Sequence, residues 1–222
     1  GIDEFRRLVH EERATLNTDV RWTAFLDDLS AFDEQPPELG KPLGDDSRDQ
    51  AFQDWAHTNV YHQQQAGYAV ATVSLPLGDL SSGQLKALAD IARRFVGDSV
   101  RTTVEQNIVL RWVRTSDLPA LYRELKACGL ARPGAESIAD ITACPGTDTC
   151  KLGIASSRGL AAELERQLSK ELDTLDDAAR KLRIKISGCF NSCGQHHISD
   201  LGFYGVSRHV SGHVVPHFQV VL

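Results

Sequence analysis

The sequence predicts an α+β protein in which a ferredoxin-like α/β half domain is followed by a second α/β domain. Two observations lead to this prediction. Between residues 68 and 130, apolar patterns follow the order strand, helix, strand, strand, helix, which is most of a ferredoxin-like sandwich. After residue 135, a strongly periodic helix and several β-rich segments surround two loops that contain glycine and cysteine.

The ferredoxin-like half is predicted from four segments. Residues 68–77 (YAVATVSLPL) alternate between apolar and polar side chains, as a half-buried strand does. Residues 83–96 carry apolar side chains at helical spacing, and residues 99–113 are two β-rich stretches that meet at residues 105–107. Residues 118–130 (LPALYRELKACGL) predict a second helix, which glycine ends.

The second domain is predicted in the same way. Residues 154–172 (IASSRGLAAELERQLSKEL) carry leucines in helical register, so they predict a helix. Residues 182–187 (LRIKIS) predict a strand that leads directly into a cysteine-containing loop. Residues 198–208 and 213–222 predict further strands.

The predicted domain organisation has three segments. Residues 1–66 are expected to be a helical segment (residues 1–29), a linker rich in Pro, Gly and acidic residues (residues 30–50), and an extended arm. Residues 67–134 form the ferredoxin-like half domain, and residues 135–222 form the second domain, truncated at its C-terminus. Because the chain contains no methionine and stops within a predicted strand, we expect both ends to be cuts.

Composition excludes several classes of protein. The 222 residues are 41% hydrophobic and 24% charged, which is ordinary for a soluble globular protein. The net charge of −6 and the lack of a basic run argue against nucleic acid as the main partner. No apolar run approaches the roughly 20 residues that cross a bilayer, and the first residues do not resemble a signal peptide. We therefore expect a cytoplasmic location and no membrane partner.

The pattern that carries chemistry is a set of five cysteines, four of which form two pairs. Five residues separate Cys144 from Cys150, and three separate Cys189 from Cys193. An odd number of cysteines without a signal peptide argues against a disulfide framework. Buried apolar cysteines, a structural zinc site and a 4Fe–4S cluster are the alternatives. A five-residue spacer is awkward for zinc, whereas a cluster tolerates wider and unequal spacings. Cys128, on a predicted helix, is expected in the core.

Two motifs, TACPGTDTC at residues 142–150 and SGCFNSCGQ at residues 187–195, together resemble the cluster-binding region of siroheme-dependent nitrite and sulfite reductases. VRTTVEQNIVL at residues 100–110 is similar to the family's Arg-x-Thr-x-x-Gln-Asn segment, and DLGFYG at residues 200–205 follows the last cysteine as in the family. The resemblance covers the second of the family's two pseudo-symmetric halves. It implies that the second domain is an iron–sulfur and siroheme-binding domain.

The resemblance also implies roles for individual residues. Cys144, Cys150, Cys189 and Cys193 would ligate a 4Fe–4S cluster. Cys193 would in addition bridge one cluster iron to the siroheme iron, which makes it the catalytic ligand.

Four further residues would contact the cofactors. Asn191 would lie near the cluster or the macrocycle, and Gln106 and Asn107 would lie on a hairpin facing the siroheme pocket. Arg101 would assist with the siroheme carboxylates, since a guanidinium pairs well with them.

The reaction that the resemblance implies is a six-electron reduction, of nitrite to ammonia or of sulfite to sulfide. Electrons would arrive singly from ferredoxin or a flavoprotein and pass through the cluster. The N-terminal half of the same enzyme would supply most of the basic residues that bind the substrate. The tripeptide Cys-Gly-Gln favours the nitrite branch slightly. The alternative function is a stand-alone iron–sulfur electron carrier or a non-catalytic binding subunit.

The sequence departs from the family pattern at two positions and leaves one pair of residues open. Phe190 stands where the family usually has proline, and Glu105 stands where a second basic ligand is expected. His196 and His197 follow the last cysteine closely. They could relay protons or hydrogen-bond to siroheme, because histidine titrates near neutral pH. We favour the alternative, that they are surface or packing residues.

Overall fold

The chain forms two compact units, Gly1–Pro36 and Pro37–Leu222, in a computed structural model. The structure describes residues 1–27, 35–38, 40–43, 49–97 and 99–222. Within these ranges, no helix has both the length and the apolar character needed to cross a membrane.

The first unit contains helix α1 (Ile2–Thr15), a short 3₁₀ turn and helix α2 (Ala24–Asp27). The prediction of helix over residues 1–29 is therefore only partly right. Leu16 has extended backbone (φ −70°, ψ 128°), which ends α1, and residues 28–29 lie outside the described part. No residue of α1 is buried in its own unit, and Phe5 is 63% exposed.

About half of the predicted linker, residues 30–50, lies outside the described residues. Two of its described residues, Gly40 and Leu43, contact the ferredoxin-like half. The Leu43 N–H donates to Asp117 Oδ1 at 2.8 Å, and Arg114 Nη1 donates to the Gly40 carbonyl oxygen at 2.8 Å. Arg114 also pairs with Asp117 Oδ2 at 2.8 Å. The carboxylate of Asp117, which is almost fully buried, therefore has a cationic partner as well as the N–H of Leu43.

The prediction of an extended arm before residue 67 is wrong. Helix α3 (Gln50–Asn59) occupies most of that segment, and strand β1 (Val60–His62) follows it. Asp49 caps the helix by accepting the Phe52 N–H at 2.8 Å. Phe52 and Trp55 are three residues apart and share one helical face, which is buried. Their rings lie 5.7 and 5.4 Å from the ring of Tyr122. Two aromatic residues in a polar segment hold this helix, and hydrophobic periodicity does not detect them.

The ferredoxin-like half domain is confirmed, and its fourth strand comes from an unexpected place. The antiparallel sheet has the order β1-β2-β4-β3. Strand β1 precedes the predicted strand–helix–strand–strand–helix run in the chain and completes the sheet beside β2. The other elements are β2 (Tyr68–Val73), α4 (Ser82–Phe95), β3 (Val100–Thr102), β4 (Ile108–Arg114) and α5 (Leu118–Ala127).

Local signals set the helix ends in this half. Ser81 forms a capping box with Gln84, in which each side chain bonds to the other residue's backbone N–H. Gly129 ends α5 in the left-handed region (φ +72°), and the Leu130 N–H then reaches back to the Leu125 carbonyl at 2.7 Å. Cys128, at this helix end, is half-buried against the core, and burial raises the pKa of its thiol.

The second sheet has the order β5-β6-β7-β8. Strands β5, β6 and β7 are parallel, and β8 is antiparallel to β7. Its elements are β5 (Thr142–Ala143), α6 (Ser157–Glu171), α7 (Asp177–Arg180), β6 (Ile184–Ser187), β7 (Leu201–Val210) and β8 (His213–Val221). Ile184 and Ile186 form the second core with leucines of α6. The parallel strands bring their carboxyl ends to one edge of the sheet.

Replacement of Trp55 by Ala tests the role of α3. Trp55 is 0% exposed and packs between two aromatic rings. We expect the free energy of unfolding to fall by about 3–5 kcal/mol, because a large cavity is left in the core. Urea denaturation followed by circular dichroism measures it.

The matched control is Trp22→Ala, because Trp22 is 55% exposed. This variant should change the free energy of unfolding by no more than about 0.5 kcal/mol. If Trp55→Ala lowered the free energy of unfolding as little as Trp22→Ala does, α3 would not belong to the folded core.

Candidate metal centre

Both cysteine pairs lie at the carboxyl ends of neighbouring parallel strands. Cys144 directly follows β5, and its N–H donates to the Ile186 carbonyl oxygen of β6 at 3.1 Å. Cys189 follows β6 after one intervening residue, Gly188. Carboxyl ends of parallel strands are common ligand sites in open α/β sheets. The fold therefore places the start of each cysteine motif at the same edge.

The sulfur of Cys144 lies against the backbone that leads to Cys189. The Gly188 N–H donates to Cys144 Sγ at 3.1 Å, and Ser157 Oγ lies 3.5 Å from the same sulfur. The Ser157 hydroxyl donates to the Cys144 carbonyl oxygen at 2.7 Å. This bond fixes the backbone of Cys144 beside the first residue of α6. Hydrogen bonds to ligand sulfurs are among the features that tune iron–sulfur clusters.

Close backbone contact joins the two cysteine loops. The carbonyl oxygen of Gly188 accepts N–H groups from Ile154 and Ala155 at 2.8 and 3.0 Å. A Cβ on Gly188 would lie 2.6 Å from the Cα of Gly146, which is closer than real side chains come. Gly153 packs equally closely on Gly146. These glycines permit the first loop to lie on the second.

Cys150 lies in a turn within the first loop, and its N–H donates to the Gly146 carbonyl at 3.0 Å. Cys150 therefore lies before helix α6, which begins at Ser157 and not at residue 154 as predicted. The reason is that Gly153 and the Ile154–Ala155 backbone are used for the contact with Gly188. Helix α6 starts after that contact, with Ser156 as its cap.

The second loop holds the other two cysteines in different environments. Cys189 is buried, with 7% of its surface exposed, whereas Cys193 is exposed. Phe190 is 69% exposed, and Asn191 is also exposed. The phenylalanine that replaces the usual proline therefore leaves its ring in solvent rather than in the core.

The donor set fits an iron–sulfur cluster. All five cysteines are free, and four of them are on the two joined loops. Thiolates are the usual ligands of such clusters. Among the described side chains, no three from His, Cys, Asp and Glu are gathered as ligands of one metal ion. That the four loop cysteines are cluster ligands stays a prediction.

Gln106 joins the ferredoxin-like half to the first cysteine loop. Its Nε2 donates to the Ala143 carbonyl oxygen at 2.9 Å, and its Oε1 accepts the Ala143 N–H at 3.1 Å. The side-chain amide thus pairs with Ala143 as a neighbouring strand would. Gln106 has left-handed backbone (φ 66°) in the β3–β4 turn, which turns its side chain toward β5. Its predicted contact with siroheme stays a prediction.

Asn107 makes a second connection between the two sheets. It is 2% exposed, its Oδ1 accepts the Leu75 N–H at 2.8 Å, and its Nδ2 donates to Asp140 Oδ2 at 2.8 Å. Burial raises the pKa of Asp140, and the N–H donors from Glu136 and Asn107 oppose that rise.

Arg101 is exposed on β3, where its Nη1 donates to the Val100 carbonyl at 2.9 Å. The predicted cofactor roles of Asn107 and Arg101 stay predictions.

The two histidines after Cys193 have different positions. His197 is exposed, whereas His196 is 1% exposed. His196 Nδ1 lies 2.9 Å from Ser187 Oγ, and its ring stacks on Tyr204 with 4.9 Å between centroids. Its Nε2 has no hydrogen-bond partner among the described residues. The contact with Ser187 is not evident from the sequence; the only sequence signal is the proximity of both residues to the cysteine motif.

A cavity of about 920 Å³ lies away from the cysteines. It is at the amino ends of β5 and β6, where Thr142, Ile184 and Asp140 line it. None of the four loop cysteines lines this cavity. The candidate metal centre is therefore defined by the cysteine loops and not by this cavity.

Two family profiles match the chain. Residues 61–128 match the nitrite/sulfite reductase ferredoxin-like half domain, and residues 134–215 match the nitrite and sulphite reductase 4Fe-4S domain. Together the two matches take in more than half of the chain. The second includes both cysteine loops.

Curated relatives include an assimilatory ferredoxin-dependent nitrite reductase from Haloferax mediterranei, which is 30% identical over 91% of this chain. A ferredoxin–nitrite reductase from Synechococcus elongatus is 30% identical over 73% of the chain. Sulfite reductase [ferredoxin] 2 from Mycolicibacterium paratuberculosis is 33% identical over 58%. The chain spans only 36% and 31% of the length of the first two relatives.

Among solved structures, the NirA protein of Mycobacterium tuberculosis is similar, with a TM-score of 0.62 and 28% sequence identity. The similarity covers 84% of this chain and 32% of that one. Dissimilatory sulfite reductase I, at 17% identity and a TM-score of 0.57, shares the fold.

Replacement of Gln106 by Leu tests the connection between the sheets. Both hydrogen bonds to Ala143 would be lost, and the buried peptide groups of Ala143 would have no substitute partner. We expect the free energy of unfolding to fall by about 2–4 kcal/mol, measured by urea denaturation. Gln53→Leu on the exposed face of α3 is the control, with an expected change within about 0.5 kcal/mol. A Gln106→Leu protein as stable as the control would contradict the connection.

The stability of the metal-free chain should depend on pH through His196. Burial lowers the pKa of His196 below its ordinary 6.5, and the neighbouring His197 lowers it further. As the pH falls, the unfolded chain therefore takes up a proton at this histidine at a higher pH than the folded chain does. Stability from the neutral imidazole is complete above pH 6.5 and is lost as the pH falls toward the lower folded pKa.

Denaturation curves taken from pH 7.5 downward measure this dependence. We expect His196→Gln to weaken the loss of stability below pH 6.5, whereas His62→Gln, at an exposed position, should leave it unchanged. An unchanged slope in both variants would exclude His196 as its source.

Proposed function

Because the chain belongs to the nitrite and sulfite reductase family, we propose that it is the cluster-bearing C-terminal half of a siroheme enzyme. The whole enzyme reduces nitrite to ammonia or sulfite to sulfide, in six electrons. The predicted family and fold class are confirmed by the two family matches and the two sheets. The predicted 4Fe–4S and siroheme cofactors agree with this membership.

One observation carries the proposal. Two cysteine loops are held together at the carboxyl ends of β5 and β6, within the segment that matches the 4Fe-4S domain. Cys144, Cys150, Cys189 and Cys193 would hold the cluster. When bound, the cluster accepts and releases single electrons for the reduction.

Cys193 is proposed as the ligand shared between the cluster and the siroheme iron. Its exposure supports this role, because a shared sulfur must be reachable from outside the cysteine loops. Cys189 is buried and is suited to the cluster alone. Asn191 is exposed two residues before Cys193, where it can contact either cofactor.

One wall of the siroheme site is proposed to come from the β3–β4 hairpin. Gln106 and Asn107 lie in its turn, and Gln106 is hydrogen-bonded to the residue before Cys144. Arg101 on β3 offers an exposed guanidinium for a siroheme carboxylate. The N-terminal half of the same enzyme would supply the remaining walls and the basic substrate-binding residues.

Ferredoxin is the proposed electron donor, with a flavoprotein as the alternative. The names of the Haloferax and Synechococcus relatives specify ferredoxin and nitrite, and the Mycolicibacterium relative is a sulfite reductase. These names favour nitrite as the substrate. We place the enzyme in the cytoplasm.

Replacement of Cys144 by Ser tests the ligand assignment. After anaerobic reconstitution with iron and sulfide, the unsubstituted chain should contain about four irons and four sulfides. Cys144→Ser should lose most of this content, because one thiolate is removed. Cys128→Ser is the matched control and should retain it, because Cys128 lies in the other half of the fold. Uptake of one zinc and no sulfide would contradict the proposal.

An optical spectrum separates the reductase from a stand-alone electron carrier. The chain is combined with the N-terminal half of the enzyme and supplied with siroheme. We expect a Soret-type band and a red iron-chlorin band. A broad brown shoulder alone would favour the carrier.

A further inference from the structure

The face of β6 that points away from α6 carries two buried polar residues. Lys185 is 3% exposed and Ser187 is 1% exposed. Strands that are buried on both faces are usually apolar throughout. A buried polar group is tolerated when it has hydrogen-bond partners, so the partners of these two residues indicate what they do.

Both residues bind the turn that follows Cys193, Ser187 through a backbone N–H and Lys185 through a side chain. Ser187 Oγ accepts the N–H of Gly194 at 3.0 Å, and Lys185 Nζ donates to Gln195 Oε1 at 3.1 Å. The Gly194 N–H belongs to the peptide group that starts at Cys193. The hydroxyl of Ser187 therefore holds the peptide bond that leaves the exposed cysteine.

The loop around Cys193 needs such support. Ser192 and Gln195 have left-handed backbone, with φ of 59° and 62°, which is uncommon for residues other than glycine. A Cβ on Gly194 would collide with the Ile186 carbonyl oxygen, so this part of the loop lies directly on β6. Backbone held in such conformations persists when surrounding contacts fix it, and it concentrates at functional sites.

His196 in turn orients the hydroxyl of Ser187. Its Nδ1 is 2.9 Å from Ser187 Oγ. A serine hydroxyl has one hydrogen to donate. Depending on the tautomer of the imidazole, the hydroxyl donates this hydrogen to Nδ1 or accepts one from it. Tyr204, which pairs with Ser187 in the β6–β7 register, stacks on the imidazole at an angle of 23° and fixes the ring.

The second nitrogen of His196 is a further buried polar atom beside Ser187. Nε2 is buried and has no partner within the described part of the chain. If the hydroxyl donates to Nδ1, Nε2 carries the ring hydrogen. An unpartnered buried donor costs free energy unless a bound group accepts from it.

We propose that Ser187 is a positioning residue for the Cys193 thiolate and that His196 acts through it. Ser187 holds the Cys193–Gly194 peptide on β6, and so sets the direction in which the exposed sulfur is presented to the cofactors. The inference rests on the proposed function, because it gives a role to the sulfur that the cluster and siroheme would share.

The test compares Ser187→Ala with Ser187→Thr and with Ser207→Ala. Ser187→Thr keeps the hydroxyl, and Ser207 is an exposed serine on β7. After anaerobic reconstitution, iron and sulfide content, the electron paramagnetic resonance spectrum of the reduced cluster and its midpoint potential are measured. We expect Ser187→Ala to keep its iron but to shift both the spectrum and the potential. Ser187→Thr should restore both, and Ser207→Ala should match the unsubstituted chain.

A second measurement uses the cluster-free chain and does not require a loaded enzyme. The rate of Cys193 alkylation by iodoacetamide is followed by mass spectrometry. Loss of one hydrogen bond should free the loop, so Ser187→Ala should react about tenfold faster at Cys193. His196→Gln, which keeps the serine, should show a smaller increase. Alkylation of Cys128 should stay unchanged in both variants.

The outcomes separate the inference from the proposed function. If the unsubstituted chain binds no cluster, the proposed function fails, and the inference fails with it. If that chain binds a cluster and Ser187→Ala has the same spectrum, potential and alkylation rate, the inference alone is wrong. Equal shifts in Ser207→Ala would also overturn it.

Discussion

The close contact between the backbone of Gly146 and Gly188 is the constraint on which the candidate metal centre depends. It brings the first cysteine loop onto the second and lets the Gly188 N–H reach the sulfur of Cys144. Any side chain at Gly188 would separate the two loops. Helix α6 begins only after the first loop has made this contact, so the contact also sets where the helix that covers the sheet starts.

The two sheets are joined at the same place. Gln106 of the ferredoxin-like half pairs with Ala143, the residue before Cys144, and Asn107 reaches Asp140. The ferredoxin-like half thus acts as a support for the first cysteine loop. The sequence resemblance implies that these two residues face a cofactor, whereas their observed hydrogen bonds connect parts of the protein. Both uses can hold together, because the bonded amides fix the hairpin beside the cysteines.

The second loop is supported from the opposite direction. Lys185 and Ser187 are buried on the face of β6 that α6 does not cover, and they bind the turn after Cys193. The cysteine pair 144/150 is thus fixed by glycine contacts, and the exposed Cys193 by side-chain hydrogen bonds. Backbone contact leaves the first loop little conformational freedom. The hydrogen bonds that hold Cys193 come from side chains, so single substitutions can alter them.

The sequence by itself determined the fold class, the ferredoxin-like half, the family and the four candidate cysteines. Alternating strands, periodic helices and paired motifs are local patterns, so they can be recognised in one dimension. Only the tertiary structure decided that α3 replaces the expected arm, that β1 completes the first sheet and that Cys150 lies in a turn. It also decided that Ser187 and His196 support Cys193. Each of these depends on contacts between segments distant in sequence or across a folded loop, and such contacts leave no periodic signal.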